Sequence, residues 1–231
     1  MESEKTNISD EALRTVASHC VVAGLCPLIP IPFVDDLIVD RIQRRMNAAL
    51  CKAHEIELLP LSAKLLSESE SDLLNGALKG MLMWPIKKLL RKILIVFALK
   101  NCVDVATEVF HEGWLMARAL EEGYVNLDEL RRNKPSALRA LRGAIVMARE
   151  EIDPDLTRQV MRSAFDMSGE VLSDMVAAMR KAMTRADEGD KLEAAAAEAA
   201  PLTARLEKAL KEQWSSGEAL DGALKDAIAR G

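Results

Sequence analysis

Aromatic residues and cysteines are scarce in this chain of 231 residues. Aromatic side chains make up 3% of the sequence, which leaves little for stacking on bases or sugar rings. The four cysteines are too few for a disulfide scaffold, and free thiols are typical of a reducing compartment. The N-terminus is acidic and lacks the basic-then-apolar order of a secretory signal. These absences argue against a disulfide-rich secreted domain and predict a cytoplasmic protein.

An excess of positive charge is missing as well. The net charge is −5, which argues against nucleic acid as a partner. Apolar residues make up 49% of the chain, which is ample for a buried core. Charged residues make up 29%, more than a membrane-embedded bundle would carry. The composition therefore predicts a folded domain rather than a disordered or fibrous chain.

One stretch, residues 15–34, contains no Lys, Arg, Asp or Glu. Its 20 residues match the length of a membrane span. Pro27, Pro30 and Pro32 interrupt it, and proline stops or kinks a helix. We therefore expect a core helix that Gly24 ends, followed by an extended connector from Cys26 to Pro32, in preference to a hydrophobic hairpin or a re-entrant segment. Any membrane contact is expected to be peripheral, at the inner membrane of a bacterial cell.

Apolar residues recur at spacings of three and four along most of the chain, which is typical of helices. The pattern predicts an all-α protein, a multi-helix bundle with an N-terminal helical core and a C-terminal helical extension rich in Ala and Met. We place the first part at residues 1–125, with its Pro-rich connector, and the second at residues 126–231. The predicted helices cover residues 9–23, 33–53, a short helix with a polar connector in 60–70, 72–122 (with or without an interruption at Pro85, and closed by Gly123), 126–132, 135–152, 155–185, 191–200, 201–214 and 218–230.

Basic charge is concentrated in two windows without acidic residues. Residues 73–103 and residues 130–149 each carry six Lys or Arg side chains. In the first window, helical geometry places four basic residues opposite a broad apolar arc, the pattern of a helix that lies on a membrane or binds a partner. The alternative is that the basic side chains are solvated or pair with acidic helices. The candidate binding residues are Trp84, Lys87, Lys88, Arg91, Lys92, Arg131, Arg132, Arg139 and Arg142.

Motifs for catalysis are weak, and we predict no catalytic residue, no resident metal and no cofactor. Asp35 and Asp36 stand at a helix start, where the helix dipole favours acidic residues without any catalytic role. Glu108 and His111 have the spacing of half a di-iron site, but no second copy exists. A further metal set lacks the usual tight spacing of zinc ligands. It comprises Cys20, Cys26, Cys51 and His54.

The segment from Cys26 to Asp36 (CPLIPIPFVDD) and the following helix, Leu37 to Ala53, resemble a helical family of unknown function. Members of that family are often attached to, or encoded beside, small GTPases, and they include bacterial inner-membrane proteins. The shared pattern is an Ala-rich apolar helix, a Pro-Ile-Pro connector, a helix with Asp near its start, and a later apolar helical hairpin. It covers about residues 10–122. The resemblance implies membrane association or a small GTPase as partner, and it carries over no catalytic residue.

Together these patterns predict a non-enzymatic interaction or adaptor protein. It would dock on an anionic membrane surface, or on an acidic or GTPase partner, through the basic amphipathic helix. One alternative is a structural protein that self-associates into a homo-oligomer through its Ala- and Met-rich C-terminal helices. A second alternative is a metal-dependent helical-bundle enzyme that uses Cys51 and His54, or Glu108 and His111. The methionines in question are Met161, Met167, Met175, Met179 and Met183.

Overall fold

The computed structural model describes residues 8–28, 35–67, 91–186 and 190–230. In these ranges the chain forms eleven α-helices and no strand, which confirms the all-α multi-helix bundle. The helices are α1 Asp10–Leu25, α2 Asp35–Ala53, α3 Pro60–Ser67, α4 Arg91–Glu121, α5 Leu127–Arg131, α6 Pro135–Glu150, α7 Asp155–Phe165, α8 Gly169–Arg185, α9 Lys191–Glu198, α10 Ala200–Gln213 and α11 Gly217–Arg230.

Helix α1 lies in the centre of the bundle and packs against α2, α4 and α10. It begins as predicted, because the hydroxyl of Ser9 accepts a hydrogen bond from the backbone N–H of Ala12. The prediction that Gly24 ends this helix is wrong. Gly24 lies inside α1, where the missing side chain leaves room for α4 and for Phe165.

The prediction of an extended chain from Cys26 onward is also wrong where the structure describes it. Cys26–Leu28 forms a 3₁₀ turn that continues from α1. The residue before a proline usually avoids helical angles. Here burial overrides that preference, since Cys26 is 2% exposed and its thiol donates to the carbonyl of Val22. The rest of the predicted connector lies outside the described residues.

The single long helix predicted for residues 155–185 is two helices, α7 and α8. The chain breaks at Asp166, and Ser168 begins a new helix by accepting a hydrogen bond from the N–H of Val171. Ser followed by Gly is a start signal that the apolar periodicity concealed. By contrast, Gly123 closes α4 as predicted, with a left-handed φ of +68°.

The buried apolar residues form one cluster, from Ile8 near the N-terminus to Ala227 in α11. Helix α10 contacts α1 and α7, α11 packs on α6 and α4, and α3 packs on α6. Ion pairs of Lys211 with Asp10 and of Arg14 with Glu207 also join α1 to α10. Helices on both sides of residue 125 thus share the core, and the division into two domains there stays a prediction.

Candidate interaction surface

The candidate binding residues of the first basic window are only partly described. Trp84, Lys87 and Lys88 lie outside the described residues. Arg91 and Lys92 form the first turn of α4. The geometry of a site therefore comes from the second window, on α5 and α6, together with the chain that packs against it.

A left-handed asparagine fixes the loop before α3 to the turn between α5 and α6. Asn133 has a φ of +52°, a conformation that asparagine tolerates better than most residues. Its side-chain amide donates to the carbonyl of Glu57 at 2.9 Å, and its oxygen accepts from the N–H of Leu59 at 3.0 Å. Arg131 adds a bond from its guanidinium to the carbonyl of His54. These bonds hold Leu59 beside the start of the basic window.

Two leucines of this region are exposed to solvent. Leu59 is 60% exposed, and Leu61, in the first turn of α3, is 69% exposed. Leu59 is bonded to Asn133, the neighbour of the exposed Arg132, and α3, which carries Leu61, packs on α6, which carries the exposed Arg139. We call Leu59, Leu61, Arg132 and Arg139 the leucine–arginine surface. Sequence analysis missed the leucines, although an apolar pair on either side of Pro60 at a helix start was a usable signal.

The charge on this surface is less one-sided than the sequence window indicates. Arg131 pairs with Asp128 at 3.1 Å, and Lys134 pairs with Glu129 at 2.7 Å. Glu57 on the neighbouring loop is exposed as well. Within the described part of the chain, Arg132 and Arg139 have no ion-pair partner, so they are the cations left for an external anion.

The remaining arginines of the window turn toward the core. Arg142 is 7% exposed, and its Nη1 lies 3.1 Å from a carboxylate oxygen of Glu112, which is fully buried. Arg149 donates to the same oxygen at 3.2 Å and to Glu108 at 2.8 Å. Asn47 of α2 donates to the other oxygen of Glu112. Arg142, a predicted binding residue, therefore lies in a charged cluster that joins α2, α4 and α6.

The Glu112 cluster is not fully hydrogen-bonded. Although Arg142 Nη1 is at ion-pair distance from Glu112, it is not aligned for a hydrogen bond, and Arg142 Nε and Asn47 Oδ1 also lack partners. The second guanidinium nitrogen, Nη2, donates to the carbonyl of Ser67. Attraction between buried charges, rather than a complete set of hydrogen bonds, holds the cluster together.

His111 lies in a separate buried cluster with aromatic side chains. Its Nε2 is 2.8 Å from the hydroxyl oxygen of Thr157. The same oxygen accepts a hydrogen bond from the indole N–H of Trp214. Burial, reinforced by the positive charges of Arg149 and Arg158, lowers the pKa of His111 to about 4. The imidazole is therefore neutral at pH 7 and shares a hydrogen bond with the Thr157 hydroxyl whose direction follows its tautomer.

The residues of the predicted metal alternatives do not come together as ligands. In the described ranges, no three His, Cys, Asp or Glu side chains form a group that could hold a metal ion. Glu108 pairs with Arg149, while His111 contacts Thr157. Burial raises the pKa of Cys51 and Cys102 to about 12, so these thiols stay protonated.

Comparisons with known proteins add no assignment. No protein-family model, no curated protein and no solved structure matches this chain. The resemblance to the GTPase-associated helical family therefore stays a prediction. Among the described helices, none combines the length and apolar character that crossing a bilayer requires.

Proposed function

We propose that this protein is an interaction protein that docks peripherally on an anionic membrane surface. The observation that carries the proposal is the leucine–arginine surface: two exposed leucines, and two exposed arginines without ion-pair partners, on the packed helices α3 and α6 and the chain just before each of them. Leucines at a bilayer interface bury apolar area among the acyl chains, while arginines contact lipid phosphates. The basic segment of residues 84–92, with Trp84, supplies the same chemistry in sequence.

Co-sedimentation of the full chain with vesicles tests this proposal. We expect binding to vesicles that contain phosphatidylglycerol, weaker binding as salt rises, and little binding to pure phosphatidylcholine. Each basic side chain near an anionic leaflet contributes about 1 kcal/mol, so reversing the charge of two should weaken binding more than tenfold. The matched variants are Arg132→Glu with Arg139→Glu, and Leu59→Ser with Leu61→Ser.

Control variants show whether vesicle binding depends on this surface or only on the total charge and hydrophobicity of the chain. Arg180 and Lys181 on α8 are exposed, and reversing both changes the net charge equally. The control for the leucine pair is Leu156→Ser with Val171→Ser, at residues that are 51% and 46% exposed. No binding to anionic vesicles at low salt would contradict the proposal, as would equal losses in the control variants. A quadruple variant tests whether the first basic window takes part in vesicle binding. It replaces Lys87, Lys88, Arg91 and Lys92 by Glu.

Self-association through α8 is the second candidate function. This helix contacts mainly α9 and leaves Val171, Met175, Ala178 and Ala182 on a partly exposed face, at spacings of four, three and four. Such spacing is typical of a helix–helix seam. Light scattering should show a mass that rises with concentration in the wild-type chain but not in a Val171→Lys, Met175→Lys variant. A monomer at all concentrations would contradict this candidate.

A further inference from the structure

A half-open surface cavity of about 420 Å³ lies between α1, α2 and α9. Its apolar walls come from Val22 on α1, Ala48 and Ala49 on α2, and Leu192 and Ala196 on α9. Three of these five residues are alanines, so the space exists because short side chains do not fill the gap between the helices. The volume is in the range of small-molecule sites in proteins.

One end of the cavity is polar and carries an ion pair. Arg45 on α2 donates from Nη1 to both carboxylate oxygens of Glu193 on α9, at 3.2 and 3.0 Å. The side chain of Glu193 is 70% exposed and that of Arg45 is 34% exposed. Ion pairs with such exposure contribute little to stability, so another carboxylate could replace Glu193 at small cost.

His19, next to the ion pair, adds no positive charge to this end of the cavity. Its Nδ1 lies 2.8 Å from the carbonyl of Thr15 and donates to it, which leaves Nε2 as an acceptor. Burial lowers the pKa of His19 more than its bond to Thr15 and the charge of Glu193 raise it. With a neutral imidazole, Arg45 is the lining residue that can neutralise an anion.

We propose that this cavity binds a small aliphatic monocarboxylate, whose carboxylate takes the place of Glu193 on Arg45 and whose chain lies along the alanine-lined walls. Glu193 already shows that a carboxylate reaches Arg45 from the cavity side. The chemistry selects one negative charge with an apolar tail, since the walls offer apolar contact and the polar end offers a guanidinium. The site is separate from the leucine–arginine surface, so this proposal is independent of membrane docking.

Calorimetric titration of the full chain with butanoate, hexanoate and octanoate tests the proposal. We expect saturable binding that strengthens about fourfold with each added methylene until the cavity is full. Octan-1-ol and octylamine have the same tail without the carboxylate, and they should bind at least tenfold more weakly. Equal binding of octan-1-ol and octanoate would overturn the proposal, and so would the absence of saturable octanoate binding.

Substitutions at the polar end test the role assigned to the ion pair. Arg45→Gln should weaken octanoate binding more than tenfold, whereas Glu193→Gln should strengthen it severalfold because the competing carboxylate is gone. Lys52→Gln, at an exposed lysine of the same helix, removes an equal charge and should have no effect. Unchanged binding in Arg45→Gln, or weaker binding in Glu193→Gln, would overturn the proposal.

A third variant fills the cavity without touching charge. Ala48→Leu places a larger side chain against the walls and should abolish binding, while circular dichroism and the thermal midpoint show that the fold is kept. Octanoate binding by a folded Ala48→Leu chain as strong as that of the wild type would place the ligand elsewhere and contradict the site.

Discussion

Glu112 illustrates how single residues act in this protein. Its carboxylate is fully buried on α4, yet it compensates Arg142 and Arg149 and accepts from Asn47. Glu112 is one of four carboxylates in α4, so the sequence alone does not mark it as the buried one. That it faces the core, and that Arg142 turns inward to meet it, depends on how α6 is rotated against α4. Sequence reasoning consequently assigned Arg142 to a binding surface.

Removing this carboxylate should destabilise the fold strongly. Glu112→Ala leaves the buried guanidinium of Arg142 without a counter-charge, and we expect a loss of about 3–5 kcal/mol in unfolding free energy. Glu108→Ala, which removes the exposed partner of Arg149, should cost less than about 1 kcal/mol. Urea denaturation of both variants measures the difference. Similar losses in the two variants would contradict the role given to Glu112.

The two helical glycines Gly24 and Gly143 differ in the space around them, so replacing each by alanine should have opposite effects on stability. A β-carbon at Gly24 would lie 2.8 Å from Cζ of Phe165 and 3.0 Å from the carbonyl oxygen of Cys102, whereas one at Gly143 would meet nothing within 4 Å. We expect Gly24→Ala to destabilise the fold by about 1–3 kcal/mol, because α1 and α4 must move apart. Gly143→Ala should stabilise it by about 0.5–1 kcal/mol through helix propensity. Thermal unfolding distinguishes the two signs, and a stable Gly24→Ala variant would refute the close approach.

Because His111 is neutral in the folded chain, the free energy of unfolding depends on pH between about 4 and 6.5. Its pKa falls from the ordinary 6.5 to about 4 in the folded chain, so below pH 6.5 the unfolded chain binds a proton that the folded chain does not. The folded chain therefore has its full free energy of unfolding above pH 6.5 as far as His111 is concerned. As pH falls to about 4, this free energy decreases by up to about 3 kcal/mol. His111→Gln should flatten this part of the stability profile. His54→Gln is the control, and a wild-type profile in His111→Gln would contradict the assignment.

At the scale of elements, side-chain clusters attach the C-terminal helix. Asp221 of α11 accepts from Arg118 and from the hydroxyl of Tyr124, and its second oxygen pairs with Lys225. Burial alone would raise the pKa of Asp221, but hydrogen bonds from Lys225 and Tyr124 and the charge of Arg118 lower it. The carboxylate therefore stays ionised and joins α11 to α4 and to the chain after Gly123.

Loss of this carboxylate should loosen α11 first. Asp221→Ala removes the buried partner of Arg118 and leaves the half-exposed Glu122 as its ion-pair partner, so we expect about 1–3 kcal/mol of destabilisation and faster hydrogen exchange of the α11 amides. Asp226→Ala removes an exposed carboxylate from the same helix and should change stability by less than about 0.5 kcal/mol. Unchanged exchange in Asp221→Ala would show that apolar packing alone holds α11.

At the scale of the whole molecule, the core joins helices that are distant in sequence. Helix α1 contacts α10, and α11 packs on α6 and α4, so residues before and after position 125 bury each other. We expect one cooperative urea transition, with tryptophan fluorescence and circular dichroism changing together. Separately expressed segments 1–125 and 126–231 should not fold alone. Two separate transitions, or two folded fragments, would instead favour two independent domains.

The sequence by itself determined the helical class and most helix boundaries, because periodicity, capping residues such as Ser9 and Gly123, and prolines act locally along the chain. Sequence-based prediction failed at Gly24, where a close contact with a neighbouring helix decides the outcome, and at Ser168, where the apolar periodicity concealed a local start signal. Only the tertiary structure decided which charges lie outside. Arg132 and Arg139 reach solvent, whereas Arg142 and Glu112 meet in the core, since the rotation of each helix follows from the packing of all the others. The cavity between α1, α2 and α9 has the same origin, because α9 is far from α1 and α2 in sequence and only packing brings it against them.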